Sequence, residues 1–127
     1  QFDSSRPIYA QLVERLKAKI LAGIYPPGGH LDSVRDLAAA AGVNPNTMQR
    51  ALTELERDGL VYSQRTAGRF VTEDQSMIDT AKRGLAERHI QDFLAAMGQL
   101  GYKREEIVAL LRQETGKEGI TDGGAGM

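Results

Sequence analysis

The 127-residue chain contains no cysteine. That excludes disulfides, thiolate zinc sites and a cysteine nucleophile, and it agrees with a reducing compartment. No apolar run reaches the length of a membrane span, and the start, Gln1-Phe2-Asp3-Ser4-Ser5, lacks the basic and apolar regions of a secretory signal. The expectation is a cytoplasmic protein without membrane contact. Only two histidines are present, His30 in a Gly/Pro-rich segment and His89 in a long helical pattern, and neither has neighbours at metal-ligand spacing. Catalysis needs converging titratable groups, which this pattern does not offer. The chain therefore reads as no enzyme, with no metal and no cofactor. There is no internal repeat. A strong excess of charge of one sign is missing too, since 16 Lys/Arg stand against 17 Asp/Glu.

Hydrophobic residues at 41% and charged residues at 26% give a globular balance. The length suits one ordinary domain, or one small domain with a helical appendage. The charge is unevenly placed: residues 1–72 carry a formal +2 and residues 73–127 a formal −3. The asymmetry is mild, but a basic N-terminal part has the sign a nucleic-acid contact requires.

From Ser5 to Ala22 the apolar positions Ile8, Leu12, Leu16 and Ile20 recur every four residues, with Pro7 near the start and Gly23 past the end, which predicts a first helix. The stretch Ile24 to Leu31 is dense in Pro and Gly and reads as a returning loop. Ser33 with Asp36 fits a capping box ahead of Val34, Leu37, Ala38 and Ala41, a short second helix ended by Gly42. A tight turn, Gly42-Val43-Asn44, follows. Asn44 suits an N-cap and Pro45 a first helical position, and Met48, Ala51, Leu52 and Leu55 give the stripe of a third helix to about Asp58. Leu60 to Arg65 and Arg69 to Thr72 then read as two strands joined by Thr66-Ala67-Gly68. The fold class is mainly α: a winged helix-turn-helix of three helices plus a β-hairpin wing over residues 1–74.

A long amphipathic helix from Gln75 to about Leu100 carries Ile78, Ala81, Leu85, His89, Phe93 and Met97 near one face, and Gly101-Tyr102 breaks it. Lys103 to Gln113 forms a last helix, its acidic pair Glu105-Glu106 favoured in the first turn by the helix dipole. Two helices alone cannot hide that apolar surface. Residues 75–115 are thus a two-helix dimerisation segment, with Leu85, His89, Phe93 and Met97 at the interface of a homodimer. The tail, 116–127, is expected to be disordered.

With the stripe of the third helix facing inward, Asn46, Thr47, Gln49, Arg50 and Thr53 face out, crowded at its N-terminal end. Arg pairs with guanine acceptors, Asn or Gln with adenine, and Thr hydrogen-bonds a base edge through its hydroxyl or touches a thymine methyl, so this front suits base edges in a major groove. Arg35, Arg65 and Arg69 lie on the second helix and the hairpin, where they would hold phosphates or probe the minor groove and so fix register rather than sequence. A winged helix used for protein contacts is the competing reading. It would show aromatic anchors on that face, and none are there.

The stretches Arg6-Pro7-Ile8-Tyr9, Leu31-Asp32-Ser33-Val34-Arg35-Asp36-Leu37-Ala38, Gly42-Val43-Asn44-Pro45-Asn46-Thr47, Ala51-Leu52, Leu55-Glu56, Gly59-Leu60-Val61 and Gly68-Arg69-Phe70-Val71 resemble the winged-helix domain of the GntR family of bacterial regulators. The Asn-Pro-Asn-Thr turn and short C-terminal segment resemble its YtrA-like subfamily in particular. The resemblance implies a sequence-specific DNA-binding transcription regulator, a repressor that binds an inverted-repeat operator in double-stranded DNA as a homodimer, in a subfamily that commonly represses transport-related operons. It places DNA contacts on Arg35, on Asn44, Asn46, Thr47, Gln49 and Arg50, and on the wing at Arg65, Thr66 and Arg69. Asp32 stands where the family has proline, and Thr66 where it has a glycine that lets backbone approach DNA. The C-terminal segment is small for a closed ligand pocket, so no effector is assigned.

Overall fold

A computed structural model of the chain describes residues 2–117. In order along the chain they form α1 (Ile8–Leu21), α2 (Val34–Ala41), α3 (Pro45–Arg57), β1 (Val61–Gln64), β2 (Gly68–Val71), α4 (Gln75–Gln99) and α5 (Arg104–Thr115). This is a mainly helical winged helix-turn-helix followed by two further helices. The expected disorder of the tail falls, from residue 118 on, outside the described residues. Gly116 follows α5 as its C-cap, its N–H donating to Arg112 O.

The helix boundaries are local chemistry. Pro7, with φ fixed at −56°, stands at the N-cap of α1. Ser33 Oγ accepts from Asp36 N at 3.1 Å to open α2. Gly42 closes α2 in the left-handed region at φ 70°, where a side chain would be strained, and Val43 N reaches back to Ala38 O at 3.0 Å. One residue later Asn44 Oδ1 accepts from Asn46 N at 2.7 Å, and Pro45 starts α3. Met48, Ala51, Leu52 and Leu55 of α3 are each at most 1% exposed, and α3 packs on α1, α2 and β1. Leu12, Leu16, Ile20, Leu21, Leu31, Leu37, Ala38, Leu60, Val61 and Val71 are buried with them. Ile8 opens the apolar spacing of α1 yet stays 45% exposed, because it lines an open cleft beside the N-terminal end of α3 instead of entering the core. Gln11 is buried and fully used: its Nε2 donates to Asp3 O and Arg6 O, and its Oε1 accepts from Asp3 N.

In the wing, Val61, Tyr62, Ser63 and Gln64 pair with Val71, Phe70, Arg69 and Gly68 in antiparallel register. The Pro/Gly segment after α1 is more than a returning loop. Leu31 N donates to Arg69 O and Val71 N to Gly29 O, both at 2.9 Å, so the segment lies along β2 as a third, bridge-length strand. Asp74 accepts at one carboxylate oxygen from Ser76 N, Ser76 Oγ and Met77 N, and the Ser76 hydroxyl bond above all holds its carboxyl below the ordinary carboxylate range. These bonds close the first turn of α4.

The chain divides into two compact units between Arg83 and Gly84. Ile78 is buried, within the first. In the second, Gly101 at φ 95° ends α4, Glu106 Oε1 accepts from Lys103 N at 2.8 Å to start α5, and Ile107 is buried. Ile90, Phe93, Leu100, Tyr102, Val108 and Leu111 are all at least 38% exposed.

The core predicts its own hierarchy. Leu52→Ala, at a fully enclosed site, should cost about 3 kcal/mol of unfolding free energy in urea titration, by lost transfer energy and a cavity. Ile8→Ala should cost less than about 1 kcal/mol in the same measurement. Equal losses would mean that α3 is not the core element.

Candidate nucleic-acid interface

Since its buried stripe occupies one side, α3 presents the other at its N-terminal end. Asn46, Gln49, Arg50 and Thr53 are exposed and Thr47 is half-buried. Asn44 is exposed as well, but its carboxamide oxygen is engaged by the Asn46 N–H, so only its NH2 group can donate elsewhere. Asn46, Thr47 and Arg50 share an open cleft of about 450 Å³ with Pro7, Ile8 and Tyr9 of the α1 entry. There the Arg50 guanidinium lies over the Tyr9 ring, 3.6 Å from its centroid. An arginine stacked in this way keeps its in-plane N–H groups for hydrogen bonds while its long side chain loses rotamer freedom in advance. Tyr9 is a functional candidate that sequence periodicity passes over: it sits one position off the apolar stripe, and nothing local couples it to a residue of α3.

The remaining expected contacts fall into two groups. Arg35 is exposed in the first turn of α2, and Arg65 and Thr66 are exposed at the wing turn. Arg69 is placed differently. Its side chain is only 18% exposed, and Nε donates to Glu56 Oε2 of α3 at 3.0 Å. The wing turn and the start of α2 flank a shallow cleft of about 360 Å³ whose lining includes His30, Ser33, Ala67 and Arg69.

His30 shapes the wing turn. Its Nε2 lies 2.7 Å from Ala67 O, so that nitrogen carries the proton and donates, and its ring packs 4.8 Å from Phe70, which in turn stacks on Tyr62. A Cβ at Gly68 would come within 3.0 Å of His30 Nε2, and Gly68 has φ 94°. Glycine is required there twice over, for the turn and for the histidine. From sequence His30 reads as a surface loop residue; its partner lies 37 positions away, beyond any local signal.

Of the residues expected at a dimer interface, Leu85 and Met97 are half-buried and His89 and Phe93 exposed. Among the described residues no helix is long and apolar enough to cross a membrane.

A helix-turn-helix with a polar-fronted third helix and a hairpin beside it defines the winged-helix class of regulatory proteins. Residues 8–71 match the family described as bacterial regulatory proteins, gntR family. The chain is 44% identical over 105 residues to the HTH-type transcriptional repressor YtrA of Bacillus subtilis, spanning 82% of this chain and 81% of that one. It superposes on a GntR family transcriptional regulator from Listeria monocytogenes with a TM-score of 0.83 at 38% identity, covering 88% of this chain and 98% of the other. The DNA-binding domain of AraR in complex with operator ORX1 matches 53% of this chain and 81% of its own, with a TM-score of 0.51 and 31% identity. The chain belongs to the GntR family, and its likeness to YtrA places it in the YtrA-like subfamily.

The cap of α3 can be tested directly. Asn44→Ala removes the acceptor for Asn46 N and should lower stability by about 1 kcal/mol in thermal melts, whereas Asn44→Asp should keep most of it. Equal losses from both would show that the cap does not hold the helix start.

Proposed function

We propose that this chain is a transcription repressor that binds an inverted-repeat operator as a homodimer. The observation that carries the reading is the outward front of α3, where Asn46, Thr47, Gln49 and Arg50 project and Arg50 is braced on Tyr9. In the major groove, Arg50 would pair with guanine O6 and N7, Asn46 or Gln49 with adenine, and Thr47 with a neighbouring base. Arg35, at the start of α2, and Arg65, at the wing turn, would take phosphates and set register. The AraR complex supports the reading, because a winged helix of the same family is there joined to its operator.

The exposed apolar residues of α4 and α5 support a second copy as partner. Six large side chains left open to water in so small a unit are an association surface, and a twofold interface would cover both copies at once. Leu85, His89, Phe93 and Met97 are the residues proposed to meet there. Two linked winged helices make the second half-site contact effectively intramolecular, which is how two modest contacts become one tight operator. By its subfamily the proposed target is a transport-related operon.

Gel shifts tiled across the chain's own promoter test this. Specific binding that falls steeply with salt is expected, and only weak, sequence-indifferent retention would rule out an operator. Arg50→Ala should cost about 1–3 kcal/mol on the operator and relax base preference, while Arg35→Ala should weaken all duplexes alike. Tyr9→Leu should mimic Arg50→Ala in part, and Tyr9→Phe should be silent. For assembly, light scattering should show the full chain as a dimer and Phe93→Asp as a monomer; an intact Phe93→Asp dimer would place the interface elsewhere.

A further inference from the structure

Glu56 lies in the last turns of α3, away from the front that Arg50 occupies. Its carboxylate takes one donor from each strand of the wing: Ser63 Oγ from β1 and Arg69 Nε from β2, the latter at 3.0 Å. Both bonds end on the same oxygen, Oε2. Ser63 and Arg69 are themselves cross-strand partners, so a single carboxylate grips the hairpin at one rung of its ladder. This pair is also set apart by burial. Arg69 and Glu56 expose 18% and 27% of their side chains, against 68% and 37% for Arg57 and Glu54 and 44% and 62% for Arg6 and Glu14. Exposed pairs of the latter sort contribute little, whereas a partly desolvated, charge-assisted bond holds geometry.

We propose that Arg69 is a positioning residue rather than a phosphate contact. Through Glu56 it fixes the angle of the wing against the recognition helix, and the wing's outward contacts are left to Arg65 and Thr66 at the turn. The inference rests on the reading that α3 and the wing engage one duplex together. It reassigns a residue that composition and family pattern both place on DNA. It also gives Glu56 a role in a unit that is to meet a polyanion, where a carboxylate is tolerable if its charge is neutralised and its bonds hold the wing in register.

The sign of one effect separates the two roles. Removing a negative charge from the unit that meets a polyanion should tighten binding, and more so if it frees Arg69 for a phosphate. If Glu56 is the fastening, Glu56→Ala weakens binding instead. In fluorescence anisotropy with the full-length protein and its own promoter duplex, affinity should fall roughly tenfold for Glu56→Ala and Arg69→Ala, the scale of a lost charge-assisted bond. The salt slope should stay that of the wild type in both, whereas Arg65→Ala should lower it by about one. The exchanged pair, Glu56→Arg with Arg69→Glu, should recover most of the affinity of either single change. Tighter binding by Glu56→Ala, a slope lowered by Arg69→Ala, or an exchanged pair worse than both singles would each overturn the proposal. Hydrogen exchange on the free protein supplies an arm that needs no DNA. Amides of β1 and β2 should exchange faster in Glu56→Ala, and unchanged exchange would overturn the fastening. Failure of the wild type to bind any duplex would instead reject the DNA-binding reading, with the exchange result still deciding whether Glu56 holds the wing.

Discussion

Everything in the first unit depends on one constraint, that α3 fills its inner side completely. Met48, Ala51, Leu52 and Leu55 are sealed against α1, α2 and β1, with no more than 1% of any of them exposed. A helix so held cannot rotate about its axis without opening a cavity, and close-packed interiors resist that. The outward direction of Asn46, Gln49 and Arg50 is therefore set by the residues behind them. The caps fix the remaining freedom, translation along the axis, because Asn44 and Pro45 define where the first turn begins. In this sense the proposed reading head is a consequence of the core.

Around that helix lie three fastenings whose members are distant in sequence. Tyr9 braces Arg50 from α1, Glu56 ties the wing through Ser63 and Arg69, and His30 clasps the wing turn at Ala67. They differ in kind: an aromatic platform, a charge-assisted bond, and a histidine donor to a carbonyl. Each removes a freedom that the buried core leaves open, either of one long side chain or of a two-stranded ribbon. A two-stranded hairpin is marginal by itself, and here the segment before α2 flanks its second strand through Gly29, His30 and Leu31 while Glu56 grips it from α3. The wing is consequently a prearranged element, and less ordering is left to be done on binding.

That division explains what the sequence discloses. Ser33, Gly42, Asn44 and Pro45 act within four residues of their partners, so the boundaries of α2 and α3 are legible, as is the stripe of α3, whose period is written into consecutive turns. The outward front of α3 follows from the same period. The strand ends shift by a residue, from an expected Leu60–Arg65 to Val61–Gln64, because Leu60 is drawn into the core and Arg65 into the turn. What sequence cannot show is pairing across the fold. His30 looks like a loop residue until β2 is laid beside it, and Arg69 looks like one more basic residue of a hairpin until Glu56, thirteen positions earlier, is seen to hold it. Apolar spacing misleads once, at Ile8, because a period tells which side of a helix is apolar but not whether the neighbour packs closely there or leaves an open cleft.

The second unit poses the opposite problem, a surface without a visible reason. Its helices bury Ile107 well and leave Ile90, Phe93, Leu100, Tyr102, Val108 and Leu111 open. An isolated module would gain little from such a distribution, since short helices draw most of their stability from the apolar surface they cover. A second copy changes that balance, because a twofold contact hides the same residues on both chains and adds no requirement for a new partner. The proposed dimer thus joins stability to function by mass action. Protein concentration high enough to form it also completes the two-headed reader, and an operator that holds both heads stabilises the dimer in return.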